Sequence, residues 1–286
     1  MQCTEVTPRC PVEATTYGYR PDFAGNMFFT VFFGVCGLFQ LGFGLYFQSW
    51  TFFVAITVGA FMEMIGYVGR LLLHENPWSQ PGFKLQIVLL ILGPVFIAAA
   101  IYLTLKHVML YMGPEHSRLK PKLFTWIFIG CDILSLILQA VGGGVAASAG
   151  RTNQNLLDVG NGIIIAGIVF QVATMSSCGL LAVEFFVNFL RRGRDTLDEK
   201  EYENGGSRTK LKVVIGSLVS AYTTVLIRCI YRIPEMAGGW GNPLMQRENE
   251  FLVLDGAMIA ISVLCFTVLH PPFFLRTMQR VTKQRT

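Results

Sequence analysis

Seven long apolar runs constrain this sequence more than any other feature. Each is long enough to cross the hydrocarbon core of a bilayer, which takes about 20 residues of helix, and none alternates polar and apolar residues as a barrel strand does. The runs lie at Ala24–Phe47, Thr51–Leu72, Leu85–Leu105, Leu123–Ala147, Gly160–Leu190, Val213–Ile230 and Phe251–Phe274. Backbone groups in lipid must be satisfied within their own segment, which favours helices. The sequence therefore predicts an all-α polytopic membrane protein with seven transmembrane helices.

The composition agrees with a membrane protein and argues against a soluble one. Of the 286 residues, 52% are hydrophobic and only 14% are charged, whereas a soluble domain carries about a quarter charged residues. The net charge of +5 is not concentrated in one basic face, so we expect no nucleic-acid partner. Bilayer lipids are the expected surroundings.

Lys and Arg are distributed unevenly between the connections that alternate along the chain. The third connection, the fifth connection and the C-terminal segment hold 4, 7 and 4 of them, which is 15 of the 23 in the chain. The side of the membrane that is richer in Lys and Arg is the cytoplasmic side. We therefore predict an N-terminus outside the cell and a cytoplasmic C-terminus.

This orientation divides the chain into three parts. They are an extracellular polar tail at residues 1–23, a transmembrane domain at 24–274 with a cytoplasmic loop at 191–212, and a basic cytoplasmic tail at 275–286. The polar tail contains Cys3 and Cys10, which are close enough in sequence to form a small disulfide loop or to remain free thiols.

Several charged side chains fall inside the predicted spans, where each costs at least about 2.5–3.5 kcal/mol unless it has a partner or a water-filled cavity. Most lie in the half of the membrane nearer the predicted extracellular side, on shared helix faces. Together with two tyrosines on the same faces, they are Glu63, Tyr67 and Arg70 in span two, Arg228, Tyr231, Arg232 and Glu235 in span six, and Glu248 and Asp255 in span seven. Three arginines nearly balance four carboxylates, which favours a buried ion-pair network that fixes helix packing. The alternative is a polar vestibule that receives a charged head group.

A second polar face lies near the middle of the membrane in span four. Asp132, Ser135 and Gln139 share one side of that helix, and Gln171 lies near the middle of span five. No basic residue of span four is within reach of Asp132, so a functional role and a packing role for this acid are about equally supported. Gly142–Gly144 follow, and we consider them either a close-packing site or a helix end loosened beside a cavity.

Motifs for several other chemistries are missing from the sequence. There is no Gly-x-x-x-x-Gly-Lys-[Ser/Thr], so we expect no ATP-binding motif, and there is no Gly-x-Ser-x-Gly elbow. The four His residues are scattered near span ends on both predicted sides, which argues against several ligands converging on one metal ion. We expect no enzyme, no metal site and no cofactor, with heme ligation by one His as the alternative.

Taken in order, the polar positions resemble the fungal lipid-translocating exporter family of RTA-like seven-span proteins. Members of that family include a sphingoid long-chain-base translocator, an aminocholesterol-resistance protein and a protoporphyrin transporter. The resemblance runs from Tyr17-Gly18-Tyr19 to His270-Pro271 and rests on Glu63-x-x-Gly66-Tyr67-x-x-Arg70, Pro94 with Ala98-Ala99-x-x-Tyr102, Asp132-x-x-Ser135-x-x-x-Gln139, Gln171, Arg228-x-x-Tyr231-Arg232-x-x-Glu235, and Glu248 with Asp255. It implies seven spans, a fungal membrane and the movement or extrusion of amphipathic molecules.

We hypothesise a translocator of amphipathic lipids in the fungal plasma membrane, with sphingoid long-chain bases or related toxic amphiphiles as the favoured substrates and lipid or drug tolerance as the result. The candidate substrate-binding residues are Asp132, Gln139, Glu63, Gln171 and Asp255. The candidate polar network consists of Tyr67, Arg70, Ser135, Arg228, Tyr231, Arg232, Glu235 and Glu248. The alternatives are a receptor-like sensor of lipid or drug stress and a heme- or porphyrin-handling membrane protein. The sequence leaves the oligomeric state open.

Overall fold

The computed structural model describes residues 3–47, 50–113, 117–149, 153–192, 208–239 and 241–269. Within these ranges the chain is almost entirely helical, and strand pairing is limited to an isolated bridge between Thr7 and Cys10. A short 3-10 helix at Val12–Ala14 precedes the long helices. These are α1 (Phe23–Phe47), α2 (Trp50–Glu75), α3 (Gln80–Met112), α4 (Pro121–Ala149), α5 (Gln154–Arg192), α6 (Arg208–Ala237) and α7 (Glu248–Val268).

All seven helices are long and apolar enough to cross a membrane, which confirms the predicted fold class. The longest is α5, whose 39 residues extend over ~58 Å at 1.5 Å per residue. Because the hydrocarbon core is only ~30 Å thick, α5 must tilt or continue beyond it. Both α5 and α6 extend into the predicted loop at 191–212. Residues 193–207 and 270–286, including the predicted basic tail, lie outside the described residues.

The helices pack in chain order around α3. Helix α2 packs extensively against α1 and α3, α4 against α5, and α6 against α7. Helix α3 also contacts α4, α5, α6 and α7, while α7 returns to α1. The α4–α5 pair meets the rest of the bundle chiefly where α4 contacts α3 and where α5 contacts α6. We call this junction the seam.

The N-terminal segment lies across the end of the bundle where α2 ends and α3 begins, which we call the tail face. Cys3 and Cys10 form the disulfide loop that the sequence allowed. The connection between α2 and α3 binds this loop, because Asn76 Nδ2 donates to the Thr4 carbonyl at 2.8 Å and Trp78 Nε1 donates to the Cys10 carbonyl at 3.2 Å. The tail is therefore attached to the bundle by hydrogen bonds as well as by its own continuation into α1.

Glycines bring α4 and α5 together at backbone distance. A Cβ at Gly142 would lie 2.7 Å from both the Gly160 carbonyl oxygen and the Ile164 nitrogen. Small residues permit such contacts, which drive helix association where the solvent is lipid. Because α4 continues without a break through Gly142–Gly144, the alternative of a loosened helix end is wrong, and Gly142 is a packing position.

Gly142→Ala should destabilise the protein, since the added methyl group would meet the backbone of α5. Gly143 is the matched control, because a Cβ there meets nothing within 4 Å, and Gly143→Ala gains helix propensity of about 1 kcal/mol. We expect a lower Tm for purified Gly142→Ala and an unchanged or higher Tm for Gly143→Ala. The same Tm for both variants would contradict the close approach of α4 and α5.

Candidate functional site

Buried polar side chains gather in two neighbouring clusters. The tail-face cluster, from α2, α6 and α7, consists of Glu63, Arg70, Arg228, Arg232, Glu235, Glu248 and Asp255. The seam cluster, from α3, α4, α5 and α6, consists of Tyr102, Asp132, Cys178 and Cys229. Glu63 and Arg70 are seven positions apart in α2, which places both on one face of that helix two turns apart. This spacing explains how one helix supplies two charged groups to the same cluster.

Arg70 makes the largest number of contacts in the tail-face cluster. Its side chain is 1% exposed and lies 2.8 Å from a carboxylate oxygen of Glu248. Its Nε donates to Asn26 Oδ1 at 2.7 Å, and its Nη2 donates to the Tyr19 hydroxyl at 3.0 Å. The guanidinium carbon lies 4.2 Å from the centroid of the Phe251 ring. Because a planar guanidinium can bind a carboxylate and stack on an aromatic ring together, this one side chain joins α2 to α1, α7 and the tail.

Two tyrosines of the N-terminal tail complete this end of the cluster in their neutral form. Burial raises the pKa of Tyr19, although the positive charge of Arg70 opposes the shift. Burial also raises the pKa of Tyr17, whose hydroxyl accepts a hydrogen bond from Gln86 Nε2 of α3. A phenol is already neutral at physiological pH, and upward shifts keep it so. The contacts that Tyr17 and Tyr19 make with the bundle therefore do not depend on pH in the physiological range.

Two more ion pairs involve α6. Arg228 Nε lies 2.8 Å from Asp255 Oδ1, and the side chains are 4% and 1% exposed. Arg232 Nη1 donates to Glu235 Oε2 at 2.9 Å, one turn further along α6. Asp255 lies in a π-helical turn at Leu252–Ala257, a local widening of the helix that occurs frequently at functional sites.

Glu63 has no arginine partner among the described residues. It is 0% exposed, and within the described chain neither of its carboxyl oxygens makes a hydrogen bond. One turn along α2, the Tyr67 ring stacks on Phe29 and Phe33 at centroid distances of 5.0 and 5.8 Å. The buried hydroxyls of Tyr67 and Tyr231 are also without a hydrogen-bond partner in the part of the chain that the structure describes.

The structure thus brings the predicted polar residues of spans two, six and seven together and pairs six of the seven charges. The N-terminal tail lies over them, so the cluster is packed on the side that a head group would enter. This geometry favours the ion-pair interpretation over an open vestibule, with Glu63 as the exception.

Asp132 occupies the seam between the α4–α5 pair and the rest of the bundle. It is 1% exposed, and neither carboxyl oxygen has a hydrogen-bond partner among the described residues. The Tyr102 hydroxyl faces it from α3 without reaching hydrogen-bond geometry. The thiols of Cys178 in α5 and Cys229 in α6 also lie near it. All four helices at the seam therefore contribute to the surroundings of one carboxyl group, and none brings a cation to it in the region that is described.

The other polar residues predicted beside Asp132 are engaged elsewhere. Gln139 Nε2 donates to Gln171 Oε1 at 3.2 Å, which links α4 to α5. Ser135 Oγ donates to the main-chain carbonyl of Asp132 at 2.7 Å, so it serves the backbone of α4. The structure therefore divides the predicted polar face into an amide pair, a backbone contact and a carboxyl group without a partner.

Features outside the two clusters do not enlarge the site. A shallow pocket at the opposite end of the bundle is lined in part by Arg118 and Glu184, which form an ion pair at 2.5 Å, and it includes no predicted site residue. In the described ranges, no three His, Cys, Asp or Glu side chains are grouped so that they could hold a metal ion. The Nδ1 of His74 donates to the Pro21 carbonyl at 2.6 Å and so helps to fix the tail.

The chain matches a known protein family over most of its length. The sequence profile described as RTA1 like protein matches residues 56–278, a range that includes every residue of both clusters. The chain belongs to the RTA1-like family. It is a multi-pass membrane protein, and no solved structure matches it.

Three RTA1-like relatives from Saccharomyces cerevisiae show the range of named activities. The sphingoid long-chain base transporter RSB1 (strain Lalvin EC1118) is 30% identical over 251 residues, which cover 79% of this chain and 65% of the relative. Protoporphyrin uptake protein 1 is 30% identical over 217 residues, or 76% of this chain and 67% of the relative. Protein RTM1 is 25% identical over 227 residues, which cover 77% of this chain and 68% of the relative. This chain thus spans just under two thirds of the length of the sphingoid base transporter.

Sequence reasoning did not assign Tyr19, Asn26 or Tyr102 to the site. Tyr19 and Tyr102 belong to the motifs on which the family resemblance rests, but their roles depend on tertiary contacts. Asn26 had a local signal, because an amide inside an apolar run needs a hydrogen-bond partner, and it is fully buried beside Arg70.

Replacing Arg70 should test how far the fold depends on this cluster. Arg70→Ala leaves Glu248 without its buried partner, and breaking such a pair costs about 3–5 kcal/mol. The matched control is Arg247→Ala, which removes an ion pair with Glu250 in which the arginine side chain is 63% exposed. We expect a strongly lowered Tm and folded yield for Arg70→Ala, and wild-type behaviour for Arg247→Ala. A wild-type Tm for Arg70→Ala would contradict a structural role.

Proposed function

We propose that this RTA1-like protein translocates amphipathic lipids with a positively charged amine head group across the fungal plasma membrane, sphingoid long-chain bases being the favoured class. The observation that carries the proposal is the Asp132 carboxyl group, which is 1% exposed and has no partner in the described chain. Relatedness to a sphingoid long-chain base transporter supports the same class of substrate. We further propose that the protein is not an enzyme.

Asp132 is suited to bind an amine because nothing else in the described seam neutralises it. A buried carboxylate gains most from a partner that brings both opposite charge and hydrogen-bond donors, and a primary ammonium group provides both. An amine entering the bilayer core needs such a partner equally, since an isolated charge there is costly. The protein and its substrate would thus each remove the desolvation cost of the other.

The outward side of α4 suits the lipid chain of such a substrate. Ile133, Leu134 and Ile137 flank the position of Asp132 and are about half exposed at the bundle surface. Apolar side chains on that surface face lipid in a membrane protein, so an acyl chain can remain among lipid chains or along α4 while the head group enters the seam. The Gln139–Gln171 pair lies two turns of α4 beyond Asp132, in the direction of the tail face. It supplies the next polar groups that the head group would meet in that direction.

The tail-face cluster has a supporting role in this proposal. Asp255 is paired with Arg228, so an amine would have to displace an arginine to bind there. We assign the cluster to holding α2, α6 and α7 in register, and we treat binding at Glu63 or Asp255 as secondary to binding at Asp132.

We also propose an orientation in which the tail face is extracellular. This orientation is supported by the distribution of Lys and Arg, because 15 of the 23 lie in connections on the side opposite the tail face and the side richer in these residues is cytoplasmic. A protease-sensitive tag fused after Arg285 should be cut in permeabilised cells and protected in intact cells. Cleavage in intact cells would show that the protein has the opposite orientation.

Asp132→Asn should fold and reach the membrane normally yet lose about tenfold or more of its transport of an amine-bearing lipid, since a hydrogen bond to a charged group contributes about 1.5–3 kcal/mol. The measurement is flux of a labelled sphingoid base through purified protein in liposomes. An N-acylated base, which has no positive charge, is the control substrate and should not respond to the substitution.

Two further measurements complete this experiment, the flux through Gln139→Ala and the binding of the base by wild-type protein. Gln139→Ala, which breaks the amide pair two turns away, should reduce flux less than Asp132→Asn does. Binding of the base by wild-type protein without any flux would favour a sensor over a translocator. Wild-type flux by Asp132→Asn would contradict the assigned role of this acid.

A further inference from the structure

The number of charges in the tail-face cluster leaves one acid over. Arg70, Arg228 and Arg232 are each paired with one carboxylate, at 2.8, 2.8 and 2.9 Å. The remaining acid, Glu63, is the least exposed of the four together with Asp255. A buried carboxylate without a counter-charge is strongly disfavoured, so Glu63 needs either a bound cation or a proton.

The surroundings of Glu63 come from three other helices. From α3, Gly93 packs so closely that a Cβ there would lie 2.7 Å from Glu63 Oε1. From α6, the guanidinium groups of Arg228 and Arg232 face it, and from α7 the carboxyl group of Asp255 faces it. On α2 itself the Tyr67 hydroxyl is the neighbouring titratable group. Close packing at Gly93 leaves space for a proton on Glu63 more readily than for a hydrated metal ion.

Arg228 is the group that Glu63 and Asp255 share. Its Nε is within 2.8 Å of Asp255 Oδ1, but the N–H does not point at that oxygen in hydrogen-bond geometry. Its Nη2 donates instead to the Leu90 carbonyl of α3. The pairing of Arg228 with Asp255 is therefore less complete than that of Arg70 with Glu248, which includes a directed hydrogen bond.

We propose that Glu63, which lies without a partner in the described chain beside the Arg228–Asp255 ion pair, is the binding site for a single exchangeable proton that is coupled to lipid movement. A fully buried carboxyl group without a counter-charge holds its proton, because the charged form is costly to bury. Arg228 neutralises Asp255, and the proton neutralises Glu63. On release, the O–H bond of the carboxyl group breaks and the proton passes to water, while Arg228 faces two carboxylates.

The π-helical turn at Leu252–Ala257 makes the site adjustable. It surrounds Asp255, and Gly256 lies directly against the Tyr67 hydroxyl, where a Cβ would approach within 2.5 Å. A turn that is already wider than an α-helix can change its hydrogen bonding locally. A change in the charge of Glu63 can thus be transmitted to the start of α7 without disturbing its apolar remainder.

Infrared spectroscopy tests the proton without any transport assay. Wild-type protein in lipid should show the carbonyl stretch of a protonated, buried carboxylic acid, and part of that band should disappear as the pH is raised. In an Asp132→Asn background, which removes the other buried carboxyl group without a partner in the described chain, Glu63→Gln should remove that pH-dependent part and keep the Tm of the background, because the amide preserves the shape of a neutral side chain. Glu250→Gln, at an exposed acid, is the control and should leave the band unchanged.

A band that is absent from wild-type protein, or that Glu63→Gln leaves unchanged, would overturn the proposal. If Glu63→Gln fails to fold, Asp255→Asn serves in its place: the pH-dependent band should then be lost because Arg228 becomes free to pair with Glu63 alone. A band that persists in Asp255→Asn would also overturn the proposal, because Arg228 would then fail to neutralise the carboxylate of Glu63.

The coupling of proton movement to lipid movement rests on the proposed function, and it is tested by a separate measurement. In liposomes that contain a pH indicator, wild-type protein should move protons when a sphingoid base gradient is applied. Glu63→Gln should lower the number of protons moved for each lipid molecule that crosses the membrane. Lipid flux with no proton movement in wild type would overturn coupling alone, whereas the absence of lipid flux in wild type would contradict the proposed function and leave the infrared test of the site intact.

Discussion

The structure depends on the cost of placing charge where water is scarce. A guanidinium at the depth of Arg70 or Arg228 is tolerable only beside a carboxylate, and the carboxylates of Glu248 and Asp255 need these arginines in return. This reciprocal requirement fixes the rotation of α2, α6 and α7 about their axes. Arg70 extends the constraint to α1 through Asn26 and to the N-terminal tail through Tyr19. Apolar packing alone would permit many such rotations, because Leu and Phe contacts differ little between them.

Lipid also determines how the remaining helices associate. Where the solvent is as apolar as the side chains, helices gain from close backbone approach, and Gly69 against Gln86 and Gly142 against Gly160 provide it. The result is two tightly packed units, α2 with α3 and α4 with α5, that meet at a less glycine-rich seam. Asp132, which like Glu63 has no hydrogen-bond partner among the described residues, lies at that seam, on the boundary between the two units.

The sequence was sufficient to predict the seven helices and the helix faces that bear the charges. Length and hydropathy determine whether a segment spans, and spacing along one helix is a local property. Which acid meets which arginine is not local. Among the described residues, Arg228 forms an ion pair with Asp255 and none with Glu63, and this choice follows from how the helices pack. Gly142 and Gly143 likewise differ only in which of them faces α5, and the burial of Tyr19 depends on how the tail folds over the bundle.

The central claim is that the head group of a sphingoid base enters the seam at Asp132. Photo-crosslinking with a long-chain base that carries its reactive group next to the amine tests this most directly, with the labelled peptides identified by mass spectrometry. If the head group binds in the seam, we expect labels on the segments of α4, α5 and α6 around Asp132, Cys178 and Cys229. Unlabelled base should reduce this labelling by competition. Labels confined to the N-terminal tail and the neighbourhood of Arg70 would place the head group at the tail-face cluster and contradict the account.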